Sequence, residues 1–240
     1  MALLDNPIWS ALSTEHLPLA LGNEKARRYP MDIGPLSGIP KQSEECYEAL
    51  RGLAGPGGLV ALFSLEELRI PAGWTRVRDG ALYQMVRHSH STNKGAPPIT
   101  AAVSQSWAGS RESTFRQLTP ADAPAMVDLA ELTEPGPFRL RTIELGNFYG
   151  IFHGERLVSM AGKRMHLPGL VEVSGVCTHP EARGRGYARM LMSILIEEIE
   201  REGKTAFLHV MTENPAIRMY EELGFATRQR FYFAALVNEG

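Results

Sequence analysis

The chain has 240 residues, 44% of them hydrophobic and 22% charged, with a formal net charge of −2. That length holds one large domain or two ordinary ones and buries a sizeable core. The near-neutral balance excludes an electrostatic argument for nucleic acid or an anionic membrane as a partner, so local arginine clusters need local explanations.

The two cysteines, Cys46 and Cys177, match no metal spacing and read as reduced thiols of a cytoplasmic protein. The first residues, MALLDNPIWSALSTEHLPLAL, lack a basic n-region and contain Asp5, Asn6 and Glu15, unlike a secretory signal. No apolar run approaches the length of a membrane span.

In chain order, residues 43–53 are expected to be helical, because Cys46, Leu50 and Leu53 share one face. Pro56-Gly57-Gly58 reads as a turn into a short apolar strand over 59–63. Pro71-Ala72-Gly73 is another turn, before a strand over 81–86. His88 and His90 stand two apart without nearby Cys, Asp or Glu, and read as loop histidines rather than a metal pair. A boundary is expected near 101–111, where the sequence is small and polar. Residues 1–110 would then form an α/β module, and 111–240 a second domain.

The second part has clearer patterns. Residues 113–118 alternate like a strand, and Thr119-Pro120-Ala121-Asp122 opens a helix over 121–133. A shorter helix is expected over 138–145. Strands follow over 148–153 and 157–165, joined at Gly154-Glu155-Arg156, and over 170–178 after Pro168-Gly169. A long amphipathic helix over 188–202 buries Leu191, Leu195, Ile196 and Ile199 and ends at Gly203. A strand over 206–211, a helix over 216–223 and a strand over 228–237 complete the chain.

Between the strand ending at Thr178 and the long helix runs Arg183-Gly184-Arg185-Gly186-Tyr187-Ala188. A helix start leaves backbone N–H groups unpaired and adds partial positive charge. Gly184 and Gly186 let a ligand approach the main chain, and Arg183, Arg185 and Arg189 add charge. Such a corner binds phosphate. The Walker pattern is absent, and the dinucleotide pattern is incomplete.

The segments over 176–188 and 214–225 together resemble the two signature motifs of the GCN5-related N-acetyltransferases (GNAT), and within them the FR47-like group. The likeness covers about residues 113–237. It implies an α/β (α+β) fold with a mixed, largely antiparallel central sheet, preceded here by the N-terminal module, which in some relatives looks like a degenerate copy of the same fold. It implies acetyl-CoA or another acyl-CoA as cosubstrate, no metal, and transfer to a primary amine by direct attack in a ternary complex. The acceptor stays open: a small molecule, a peptide or a protein amine. A non-catalytic CoA-binding sensor or scaffold is the alternative, and a homodimer is possible.

Carried onto this sequence, the resemblance places the cofactor diphosphate on the amides of Gly184 to Arg189, including Tyr187 and Ala188. Its arm would lie along Val176, Cys177 and Thr178. The next strand would splay away to open a slot, with Ser174-Gly175 able to supply a bulge. Tyr220 falls where the family has its tyrosine acid. Glu172 falls where several members carry a catalytic glutamate, and partial burial would raise its pKa toward a useful value. His209 is the second candidate base. Cys177 as an acyl-carrying nucleophile would require a lowered pKa. Many members place an Asn seven residues before the tyrosine; here Asn214 stands six before Tyr220 and Glu213 holds the seventh place. Asn214 is therefore either a cofactor ligand or a cap of the following helix. The N-terminal half is expected either to wall the acceptor pocket or to stabilise the protein.

Overall fold

A computed structural model describes residues 3–88 and 113–240. The N-terminal segment forms helix α1 (Pro7–Ser13) and a small antiparallel sheet of two-residue strands, β1 (Leu21–Gly22), β2 (Arg27–Arg28) and β3 (Ser37–Gly38). Helix α2 (Glu44–Ala54) starts at Ser43, whose hydroxyl accepts from the Cys46 N–H. Strands β4 (Leu59–Ser64) and β5 (Trp74–Arg87) follow. After the undescribed residues come β6 (Thr114–Gln117), α3 (Ala123–Thr133), β7 (Phe148–His153), β8 (Arg156–Leu167) and β9 (Leu170–Thr178). The chain continues with α4 (Tyr187–Arg201), β10 (Thr205–Met211), α5 (Ile217–Glu222) and β11 (Phe225–Asn238).

Eight strands form one mixed sheet in the order β4-β11-β5-β10-β9-β8-β7-β6. Every joint is antiparallel except β9–β10. The expected boundary at 110/111 lies outside the described residues, and strands from both sides of it share this sheet. The first part contributes β4 and inserts β5 between β10 and β11.

The alternation of side chains along β9 divides the core. Val171 and Val173 pack with Leu208, Val210 and the stripe Leu191, Leu195, Ile196 and Ile199 of α4. Gly203 ends that helix at φ +71, and the Lys204 N–H bonds back to the Ile199 carbonyl. The opposite face is covered by α1, where Ile8 and Leu12 meet Met165 and Phe207, and by α2 and α3. Lys163 and Arg164, adjacent on β8, point to opposite faces. Lys163 bonds Glu202 of the α4 C-cap (2.8 Å), and Arg164 bonds Glu172.

Two expected elements differ. The helix over 138–145 is only a 3-10 turn, Thr142–Leu145. The Thr142 hydroxyl accepts from the Arg139 N–H and donates to the Ile33 carbonyl, while the Arg141 N–H donates to the Asp32 carbonyl. The N-terminal segment thus takes up backbone groups that a helix would need. Strand β5 reaches back to Trp74, through the polar run Thr75–Asp79 that carried no strand pattern; its pairing with β11 supplies the order. Of the two loop histidines, His88 is exposed and His90 lies outside the described residues.

Candidate active site

Strands β9 and β10 pair only over Leu170–Glu172 with Thr205–Phe207. Beyond that point β9 runs on to Thr178 and β10 to Met211 without pairing to each other. Two facing edges diverge and leave a slot open in the sheet. The bulge lies in the β8–β9 pairing, along the stretch of β9 beyond the point where it leaves β10. Met160 is opposite Cys177 and Gly162 opposite Ser174, so β9 holds one extra residue there. Gly175 takes φ +63, a conformation that favours glycine.

At the far end of β9 the chain makes a 3-10 turn, Pro180–Ala182, and reaches the glycine corner. Gly184 and Gly186 have φ +78 and +77, and a Cβ on either would meet nothing within 4 Å. Glycine is required here by backbone angle, and the space above it is open. The first backbone bond of the helix start runs from the Met190 N–H to the Gly186 carbonyl, so the preceding amides lie ahead of the intrahelical ladder. Arg183 and Arg185 are exposed; the Arg183 Nε donates to the Thr178 carbonyl (3.3 Å). Arg189 pairs with Glu222. Ala188 is half-buried, and Tyr187 is buried with its hydroxyl 2.9 Å from His153 Nε2.

Along the expected cofactor edge, Val176 packs toward α4 and Cys177 toward α3, and the Thr178 hydroxyl bonds Ser159 (2.8 Å). Burial pushes the Cys177 thiol up to about 11, away from the lowered value that an acyl-carrying nucleophile needs. The Asn214 side-chain oxygen accepts from the Ala216 N–H (2.9 Å), a local turn ahead of α5, whose N-cap Ala216 has no side-chain cap bond.

Tyr220 packs edge-on to Phe225 with centroids 6.4 Å apart, within the α4-side core. Burial, then the adjoining Cys177, push its hydroxyl up to about 12. It is fully protonated at neutral pH, and it makes no side-chain hydrogen bond among the described residues.

Glu172 requires a correction. It is 0% exposed, not half-buried at the slot. Arg164 Nε and Nη2 hold its two oxygens at 2.7 and 2.9 Å, and His209 Nδ1 lies 2.8 Å away. Burial alone would raise its pKa; the Arg164 charge and the His209 hydrogen bond outweigh that and hold it down at about 2. A carboxylate so stabilised and enclosed is a poor proton acceptor. His209 is equally enclosed, its side chain 2% exposed. Its Nδ1–H donates to Glu172 and its Nε2 accepts from the Gln84 amide (3.2 Å). Gln84 accepts in turn from Arg228 (2.9 Å). Arg164, Glu172, His209, Gln84 and Arg228 thus form a polar row across β8, β9, β10, β5 and β11 beneath the slot. Sequence reasoning missed Arg164 and Gln84. The available signal was a cation within the apolar β8, which demanded a buried partner.

The comparisons agree with this geometry. The model of the FR47-like protein family matches residues 148–234. A GNAT-family protein from Novosphingobium aromaticivorans, solved by crystallography, superposes over 100% of both chains with a TM-score of 0.82 and 32% identity. The [Ribosomal protein bS18]-alanine N-acetyltransferase of Salmonella typhimurium is 31% identical over 50% of this chain and 87% of that protein. The mycothiol acetyltransferase of Brachybacterium faecium is 28% identical over 57% of this chain, a match spanning only 46% of its own length. These matches define an acetyltransferase, and the chain belongs to the GNAT family. Within that family its C-terminal half carries the FR47-like domain. Among the described residues no cluster of three or more His, Cys, Asp or Glu is placed to hold a metal, and no helix is long and apolar enough to cross a membrane.

Proposed function

We propose that the protein transfers an acetyl or other acyl group from acyl-CoA to a primary amine by direct attack in a ternary complex. The observation that carries this reading is the succession along β9 of the end of pairing at Glu172, the bulge at Gly175 and the glycine corner at Gly184–Gly186. The open space over the two glycines suits a diphosphate on the amides from Gly184 to Arg189, with the exposed Arg183 and Arg185 beside it. The unpaired edge at Val176–Thr178 suits the amide-bearing arm of the cofactor, which would extend the sheet as an added strand. Asn214 stands near the slot's far edge as a further contact.

Tyr220 is the proposed acid. The amine nitrogen attacks the thioester carbonyl, the C–S bond breaks, and the departing thiolate takes the Tyr220 proton while the amine proton leaves to solvent. Glu172 is assigned a positioning role: it fixes the His209 tautomer and, with Arg164, the floor of the slot. The N-terminal half walls the acceptor side, since Asp32 and Ile33 hold the loop that carries Arg141 and Thr142.

The Salmonella relative is named for an alanine of a ribosomal protein and the Brachybacterium relative for mycothiol. This reading leaves the acceptor open between a small-molecule amine and a peptide or protein amine. Thermal shift with acetyl-CoA, CoA, NAD and ATP tests the site. Acetyl-CoA and CoA should raise Tm; a shift with ATP alone would overturn the assignment. Thiol release over an amine panel then tests catalysis.

A further inference from the structure

Building on the acyltransferase reading, we propose that the acceptor is an α-amino acyl group: a primary amine whose adjacent carbon bears a carbonyl or carboxylate, as in an amino acid or a peptide N-terminus. Two independent features of the slot floor point there.

The first is a spare donor. Arg164 is buried, and Nε and Nη2 are spent on Glu172. Nη1 makes no hydrogen bond among the described residues, and the Arg164 side chain is 9% exposed where Glu172 is 0%. It opens toward the loop after α3, where a Cβ on Gly136 would stand 4.0 Å from Nη1 and within 4 Å of nothing else. The same loop continues to Phe138, which packs on Phe148 (5.6 Å between centroids) and lies 3.6 Å from where a Cβ on Gly175 would be. The spare N–H therefore lies on the side of the slot where β9 bulges. Glu172 already neutralises the guanidinium, so Nη1 suits an uncharged carbonyl as well as a carboxylate. An oxygen one carbon from the attacking amine would both fill this donor and orient the nitrogen.

The second is the state of the groups under the slot. Glu172 is ionised and sealed, and both ring nitrogens of His209 are occupied. Neither is open to take the amine proton. Such a site favours amines that arrive neutral. With a peptide α-amino pKa near 7.8, about a third of the amine is free at pH 7.5, against roughly one part in a thousand for a lysine side chain near 10.4. A free amino acid, whose own carboxylate keeps its ammonium protonated, is favoured by the first feature alone.

The test uses the full chain at pH 7.5 with saturating acetyl-CoA and reads thiol release. The acceptors are alanine, a lysine-free peptide with a free N-terminus, an N-blocked peptide containing one lysine, and propylamine. We expect kcat/KM for alanine or the free-N-terminus peptide to exceed that for propylamine and the blocked peptide by at least tenfold. The first two arms distinguish the free amino acid from the peptide. Equal or better use of propylamine or lysine would overturn this inference and leave the acyltransferase reading intact. Acetyl-CoA binding with no turnover of either α-amino acceptor would also overturn it. Absence of any acetyl-CoA binding would sink the underlying reading itself. Arg164→Lys keeps a cation beside Glu172 but removes Nη1, together with one of the two nitrogens that hold the carboxylate. In that variant the ratio of kcat/KM between the preferred α-amino acceptor and propylamine should fall toward one. A uniform loss with the ratio preserved would assign Arg164 to structure alone.

Discussion

Glu172 and His209 face each other across the point where β9 and β10 stop pairing: Phe207 is the last residue opposite Glu172, and His209, two residues further, reaches back to its carboxylate at 2.8 Å. A side-chain bond replaces the backbone ladder at the root of the slot. Because Arg164 completes the pair, removing the carboxylate strands a buried cation. Glu172→Gln should lose roughly 3 kcal/mol of stability at pH 7. The pKa of Glu172 is depressed on folding, so its contribution is complete above the unfolded carboxylate value and disappears as pH falls through about 2. Urea denaturation of wild type and variant should therefore differ at pH 7 and converge near pH 2. A constant gap across that range would show that the destabilisation does not come from ionisation.

Tyr220→Phe removes a hydroxyl with no side-chain partner among the described residues and leaves the packing on Phe225 in place. Tm should move little. kcat should drop by about a hundredfold or more, the usual contribution of a general acid, with KM for acetyl-CoA nearly unchanged. A thiol-release assay showing wild-type kcat would remove Tyr220 from the chemistry.

The bulge and the corner make separable demands. Gly175→Val must adopt a positive φ and push its Cβ to 3.2 Å from Phe148, so both stability and turnover should fall. Gly186→Val meets no neighbour; it suffers only backbone strain, on the order of 1–2 kcal/mol, and fills the space above the amides. Its main effect should be on acetyl-CoA affinity, read by calorimetry. Unimpaired binding in Gly186→Val would contradict a diphosphate at that corner.

His16 offers a pH signature. Burial first, and then the neighbouring His166, depress its pKa from 6.5 to about 4, against a smaller opposing effect of Glu172. Its Nδ1 is 2.7 Å from the Tyr29 hydroxyl. Below pH 6.5 the unfolded chain binds a proton that the folded one refuses, so stability falls as pH drops from 6.5 toward 4 and then levels. The loss by pH 5 is about 2 kcal/mol. His16→Gln should flatten this part of the curve in chemical denaturation; an unchanged slope would place the titration elsewhere.

Residues 110–240 expressed alone would lack β5 and expose the edges of β10 and β11 that it joins. We expect this fragment to be unfolded or aggregated by circular dichroism and size-exclusion chromatography. A monomeric, active fragment would show that the inserted strand is dispensable.

The parts of the fold that the sequence disclosed are those with strong local signals. The α4 stripe is an uninterrupted 3.6-residue pattern, and the glycine corner declares itself by residues that only a special backbone needs. The slot was anticipated through Gly175 and the family likeness. The first forty residues have no long periodic segment, so α1 and the two-residue strands carry little local pattern. The start of β5 has charges on successive positions and owes its order to a partner far away in sequence. The surroundings of Glu172 were hidden for a similar reason: one carboxylate in a strand does not show whether its neighbours are water or a guanidinium on the next strand.

The insertion of β5 also bears on how the protein is made. Emerging from the ribosome, this strand has neither flanking neighbour available until β10 and β11 have been synthesised, well over a hundred residues later. It must wait with both edges bare, which makes nascent-chain protection by chaperones a natural requirement for this topology.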